Sequence, residues 1–224
     1  MAYQIQFPDP NIADDDGLVA AGGNLSSEFL LAAYRQGLFP WFNKGEPILW
    51  WSPNPRMVLF PNDFKISRSL EQTLRSGKFS VKIDEKFEDV IVQCSLVERK
   101  GQHGTWITHD MMEAYIRLHH EGYAHSFETY IDDVLAGGLY GVSLGKVFFG
   151  ESMFYIKRDA SKIALYYLVK VMKDWDFHFI DVQQSTPHLK SMGAKDLDRT
   201  VFLKQLKDSL QTLTIQGKWN YDFQ

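Results

Sequence analysis

Residues 124–156 place the strongest constraint on the fold. They hold three consecutive strand-like runs, AHSFETYI, DVLAGGLYGVSL and KVFFGESMFYI, separated only by short polar or glycine turns. Aromatic and β-branched residues suit a pleated surface, and turns this short join neighbouring antiparallel strands. A three-stranded meander is therefore expected. The period then changes: DASKIALYYLVKVMKDW brings Ala164, Leu168, Val171, Met172 and Trp175 to one helical face. FHFIDVQ follows as a buried strand, and RTVFLKQLKDSLQ as a closing helix. A strand–helix–strand unit of this size crosses right-handed and pairs its strands in parallel. The expected class is α+β, with a mixed sheet ordered as a β-meander and then β-α-β-α.

The first sixty or so residues read differently. SSEFLLAAYRQG is a helix: Ser26 or Ser27 can cap it, Glu28 suits its positive end, and Gly37 can close it. LFPWFNKGEPILWWSPNPR then carries four prolines and three tryptophans in nineteen residues, which predicts an irregular, fixed surface. PNDF at 61–64 marks a boundary between a small N-terminal domain, 1–62, and a larger one, 63–224. Within the second, DEKFEDVIVQCSLVERK places Phe87, Val90, Ile91, Cys94 and Val97 on one helical face. THDMMEAYIRLHHEG does the same for Met112, Tyr115 and Leu118 or His119, with Thr108 as cap and Gly122 as stop.

Composition removes several functional classes. A single cysteine, Cys94, excludes an intrachain disulfide and reads as a small buried hydrophobe. No apolar run reaches membrane-spanning length and the N-terminus lacks a signal pattern, so a cytoplasmic protein is expected. The formal charge of −4 is unlike that of a dedicated duplex-DNA binder, yet a local basic patch remains open. Arg56, Lys65, Arg68, Arg75 and Lys78 cluster near the proposed boundary, thinned by Glu71 and Gln72. The seven histidines (103, 109, 119, 120, 125, 178 and 188) match no zinc spacing, so no metal is expected.

Three groups could carry chemistry. Glu151 sits inside an apolar strand whose two faces are both hydrophobic, Phe149 and Met153 on one side and Phe148 and Phe154 on the other. A buried carboxylate costs several kcal/mol unless paired, so the position reads as a functional pocket or a satisfied ion pair. Gly150 beside it marks a bulge or the close approach of a ligand. Asp181 and Gln183 lie two apart on the last strand and share a face, at the end where open α/β sheets hold ligands; the bland reading is an Asx turn. Trp50 and Trp51 read as core. Trp41 and Trp106, on loops, are placed to stack on a base.

The strand order resembles the acyltransferase fold of the GNAT superfamily. More specifically, GLVAAGGNLSSEFLLAAYRQGLFPWF, PILWWSPNPR, SRSL, GTWIT, AYIRLHHEGYAHSFE, GGLYGVSLGKVFFGESMF, ASKIAL, IDVQ and HLKSMGA together, in this order, resemble the leucyl/phenylalanyl-tRNA–protein transferase family. The resemblance implies a small N-terminal domain and a GNAT-like catalytic domain. It implies transfer of Leu or Phe, and Met less well, from aminoacyl-tRNA to acceptor proteins with N-terminal Arg or Lys, marking them for N-end-rule degradation. No cofactor and no metal are implied, and a monomer is expected. Carried over by motif, Leu139, Phe148, Glu151, Met153, Leu168, Met172 and Ile180 line the aminoacyl side-chain pocket. Trp41, Trp106 and Tyr115 hold the terminal adenosine. Asp181 and Gln183 are the catalytic pair, with Glu151 beside them, and an acidic rim near Asp181 would suit a cationic acceptor. Arg68, Arg75 and Lys78 stand where the family carries a denser basic run for the tRNA backbone.

Two rivals stay open. An acetyl-CoA-dependent acetyltransferase wants a glycine-rich turn before the long helix, and YIKRDASK has no glycine. A non-catalytic RNA-binding module would use the tryptophans without Asp181 or a closed pocket.

Overall fold

The computed structural model describes residues 5–97 and 105–223. Positions 98–100, the end of the expected helix through Cys94, and His103 lie outside them. In chain order the elements are β1 (Leu18–Ala21), α1 (Ser27–Arg35), β2 (Phe39–Pro40), β3 (Leu49–Trp51), β4 (Arg56–Leu59), α2 (Arg68–Arg75), β5 (Ser80–Ile83), α3 (Phe87–Ser95) and α4 (His109–His120). There follow β6 (Ala124–Ile131), β7 (Val134–Leu144), β8 (Val147–Tyr155), α5 (Ala160–Asp174), β9 (Phe179–Gln183), α6 (Pro187–Ser191), β10 (Lys195–Leu197) and α7 (Arg199–Ser209).

The helix starts follow local chemistry. Ser26 caps α1 by accepting from the Phe29 N–H, and Thr108 caps α4 by accepting from the Met111 N–H. Strands β6, β7 and β8 form the expected antiparallel meander, and β9 runs parallel to β8 after the α5 crossover. These strands belong to a seven-stranded sheet of order β10-β4-β9-β8-β7-β6-β5. A separate three-stranded sheet, β1-β3-β2, carries the N-terminal tryptophans.

One strand crosses the expected division at residue 62. Strand β4 lies before it in sequence yet pairs with β9 and β10 inside the large sheet. All four of its residues are buried, because the sheet closes over them only when the far end of the chain returns.

The large sheet is the middle of three layers. Helices α1, α3 and α4 cover one face around Tyr34, Ile91, Tyr115 and Phe149. Helix α5 covers the other around Phe148, Leu168, Met172 and Ile180. Phe148 and Phe149 thus serve opposite cores, which is why β8 reads as apolar on both sides.

Candidate active site

Strand β8 does not run regularly. Tyr140 pairs with Ser152 but the next residue, Gly141, pairs with Gly150, so Glu151 is the extra residue of a β-bulge. The bulge changes the phase that strict alternation would give Glu151. Gly141 is required opposite it: a Cβ there would stand 2.2 Å from the Phe149 carbonyl oxygen and 2.5 Å from the Phe148 ring.

Glu151 is 8% exposed, and its carboxyl is held from three elements. Tyr34 on α1 donates to Oε1 at 2.8 Å, Tyr115 on α4 donates to Oε2 at 2.9 Å, and the Gln183 amide on β9 donates to Oε1 at 2.9 Å. The two phenols also touch hydroxyl to hydroxyl. Three oxygen–oxygen contacts close this ring, and two phenolic protons serve only two of them. The third is satisfied when Glu151 itself carries a proton: one tyrosine–carboxyl bond then reverses, and the freed phenolic proton serves the other hydroxyl. Burial pushes its pKa up to about 7, with the Asp181 charge adding to the rise and the tyrosine and Gln183 bonds offsetting part of it. Burial and the Glu151 charge likewise raise both tyrosines well above their ordinary range.

This arrangement makes stability pH-dependent. The folded Glu151 holds its proton to about pH 7, whereas the carboxyl ordinarily titrates near 4.5. Its contribution is complete below about pH 4.5 and is lost as pH rises through 7. Buried Glu128, also raised to about 7, acts in the same direction. The wild-type melting temperature is therefore expected to fall between pH 5 and 7.5, and Glu151→Gln to flatten roughly half of that fall. Calorimetry across that range checks it; an unchanged slope in the variant would sink the assignment.

Asp181 stands behind this group. It forms a bidentate pair with Arg56, Nε to Oδ1 at 2.9 Å and Nη2 to Oδ2 at 2.7 Å, with both side chains fully buried. Arg56 also donates to the Gly37 carbonyl and lies between the rings of Phe39 and Phe202, 4.8 and 4.6 Å from their centroids. Asp181 Oδ1 accepts the Gln183 backbone N–H at 3.0 Å, so the Asx-type contact exists as well. Gln183 has φ of 61°, a left-handed conformation costing a non-glycine residue about 1 kcal/mol or more. Aspartate and arginine together hold that strained residue with its side chain toward Glu151.

A cavity of about 500 Å³ opens over these groups. Leu139, Phe148, Met153, Leu168 and Ile180 line it, joined by Leu165, Val182 and Leu189. Trp41 and Trp106 stand on its wall with Phe39 and Pro40; Glu151 and Gln183 are among its polar lining. Trp51 fixes Trp41 by donating its indole N–H to the Trp41 carbonyl at 2.6 Å, while Trp50 is core, as read.

Four expectations need correction. Tyr115 is fully buried and does not line the cavity, because α4 turns it inward onto Glu151. Met172 lies one turn past Leu168, beyond the part of α5 that meets the cavity, and Leu165 lines it instead. Asp181 is sealed behind Gln183 and supplies no acidic rim; Glu151 is the one carboxyl among the lining residues. Arg56 is no surface cation but the buried partner of Asp181. The other basic residues named, Arg68, Arg75 and Lys78, are exposed on α2 and the turn after it, with Arg75 paired to Glu71. Tyr34 and Arg56 were missed. Nothing local marks them, since one looks like an ordinary apolar-face residue and the other like surface charge. Leu165 had a signal: it lies one turn before Leu168 on the same face.

The turn before α5 bears on the acetyltransferase rival. Asp159 adopts φ of 67° at the N-terminus of α5, and Lys162 pairs with its carboxylate at 3.0 Å. Arg158 also lies 3.6 Å from that carboxylate, and the turn carries no glycine whose backbone could cradle a pyrophosphate. Among the described residues no cluster of three or more His, Cys, Asp or Glu could hold a metal ion, and no helix is long and apolar enough to cross a membrane.

Comparison with known proteins agrees with the resemblance. Residues 58–207 match the family model described as leucyl/phenylalanyl-tRNA protein transferase, and residues 23–54 match that of its N-terminal domain. The leucyl/phenylalanyl-tRNA–protein transferase of Desulfatibacillum aliphaticivorans is 52% identical over 99% of this chain and 95% of its own. That of Legionella pneumophila (strain Corby) is 50% identical over 99% of this chain and 100% of its own. Among solved structures, an aminoglycoside acetyltransferase from a soil metagenome aligns at a TM-score of 0.38 and 12% identity, covering 65% of this chain and 97% of that one. Matched by the family model over most of its length and by close relatives over nearly all of it, the chain belongs to the leucyl/phenylalanyl-tRNA protein transferase family of aminoacyltransferases.

Proposed function

We propose that this enzyme transfers Leu or Phe, and Met less well, from aminoacyl-tRNA to the N-terminal Arg or Lys of acceptor proteins, marking them for N-end-rule degradation in the cytoplasm. The observation that carries this reading is one cavity with tryptophans at one wall, apolar side chains at another, and Gln183 and Glu151 between. Trp41 and Trp106 take the terminal adenosine by stacking. The apolar wall takes the aminoacyl side chain, and unbranched Cβ atoms fit it better than those of Val or Ile. Arg68 and Arg75 of α2, and Lys78 in the turn after it, serve the tRNA backbone. The enzyme acts as a monomer and needs no metal or organic cofactor.

The reaction is aminolysis of an activated ester. The neutral acceptor amine attacks the ester carbonyl carbon; the bond to the ribose oxygen breaks, and the amine proton ends on that oxygen. Gln183 gives its N–H to Glu151, which leaves its carbonyl oxygen as an acceptor for the attacking amine. Asp181 acts through Gln183, and Arg56 through Asp181. Asp181 is committed to its bidentate pair with Arg56 and does not reach the cavity, so positioning and electrostatics are the main contributions.

The test is transfer of radiolabelled Leu from Leu-tRNA to a peptide beginning with Arg, beside one beginning with Ala, without CoA or metal. Transfer to the Arg peptide alone is expected, and acetyl-CoA is expected not to bind. Retention of tRNA without transfer to either peptide would favour the RNA-binding module instead.

A further inference from the structure

The segment after α7 returns across the sheet and buries Trp219, which is 2% exposed. Its position is set from several directions. The Trp219 backbone N–H donates to Asp84 Oδ2 at 2.9 Å, and its indole N–H donates to the Ile215 carbonyl at 3.0 Å. Its ring stacks on His125 at 3.8 Å between centroids and 15° between planes. His125 is itself tied to Asp84, Nδ1 to Oδ2 at 2.8 Å. One side chain, Asp84, therefore holds both the indole's backbone and the ring on which it stacks.

The indole also packs behind the cavity wall. Its centroid is 6.1 Å from that of Phe148, which lines the cavity. It is 6.4 Å from that of Phe127, whose partner across the sheet is Leu139, also a lining residue. Phe148 has room over β7 because Gly141 has no Cβ. Phe148 lines the cavity and Trp219 does not, so the indole meets Phe148 from outside the lining.

We propose that Trp219 is a positioning residue for donor specificity: by bounding Phe148 from behind, it sets the depth of the apolar wall and so which aminoacyl side chains fit. This rests on reading the cavity as the aminoacyl pocket. Truncating the indole leaves Phe148 free to retract, which deepens the pocket. Small side chains then lose contacts and larger ones gain room.

The experiment measures two things on wild type, Trp219→Ala and Trp219→Phe. One is the affinity for leucyl-, phenylalanyl- and tryptophanyl-adenosine joined through a stable 3′-amide. The other is transfer from Leu-, Phe- and Trp-tRNA. Trp219→Ala is expected to shift the Leu-to-Phe ratio toward Phe by about tenfold and to admit the Trp donor, with Trp219→Phe intermediate at about threefold. An equal loss for all three donors, or no change in ratio, overturns the proposal. If the Ala variant lacks a cooperative melt, the ratio in Trp219→Phe decides alone. A wild type that binds the analogues but transfers nothing removes the transferase reading, while the binding ratios still decide the role of Trp219.

Discussion

An Asp181→Ala variant is expected to unfold about 3–5 kcal/mol more readily than wild type and to lose transfer activity. The reason is Arg56. Its guanidinium is fully buried, and its other neighbours are one carbonyl and two aromatic faces. These cannot neutralise a charge already out of water, so removing the carboxylate strands it. Arg56→Ala strands the other partner with a similar cost. The informative variant is the double Arg56→Met/Asp181→Leu, which removes both charges together. It is expected to recover most of the lost stability, since well-packed apolar residues replace buried ion pairs with little penalty. It should not recover transfer, because the Gln183 backbone N–H has lost its acceptor. Urea unfolding and transfer assays, run on all three variants, separate the two effects. A double variant that transfers like wild type would show that Asp181 holds the fold and not Gln183.

Gln183→Ala is expected to lower kcat by about 10²–10³ while leaving KM for the donor within about threefold. The variant keeps the left-handed backbone and the Asp181 contact but removes the amide that bridges to Glu151. In the proposed function donor recognition belongs to the tryptophans and the apolar wall, which the change does not touch. A loss confined to kcat places Gln183 at the reacting atoms. A rise in donor KM with kcat intact would make it a binding residue and move the chemistry elsewhere.

Glu151 shows how far residue types alone can lead. A carboxylate in a strand with two apolar faces is a local contradiction, and a neighbouring glycine is a local sign of a bulge. Both are readable because they depend on residues next to each other. What the carboxyl touches is not readable. Tyr34 is 117 positions away and Tyr115 is 36 positions away. The Asp181–Arg56 pair spans 125 positions. A tyrosine on a helix's buried face looks the same in sequence whether its hydroxyl meets a backbone carbonyl or a buried carboxyl.

The wall residues divide the same way. Leu168 and Met172 share a helical face, and periodicity treats them alike. Only the crossing of α5 over the sheet decides that the cavity ends between them and begins at Leu165.

What the sequence determined by itself is what short-range order dictates. That includes the meander, the crossover to a parallel strand, the capped helices, the bulged strand with its buried acid, and the ordered set of motifs that identifies the family. The tertiary structure alone decided that β4 joins the large sheet, that Arg56 neutralises Asp181, that Tyr34 and Tyr115 close a ring on Glu151, and that Trp219 backs Phe148. Periodicity and turn chemistry act over a few residues. Burial of a charge and the thickness of a cavity wall depend on which distant segments meet, and that is settled only when the whole chain closes.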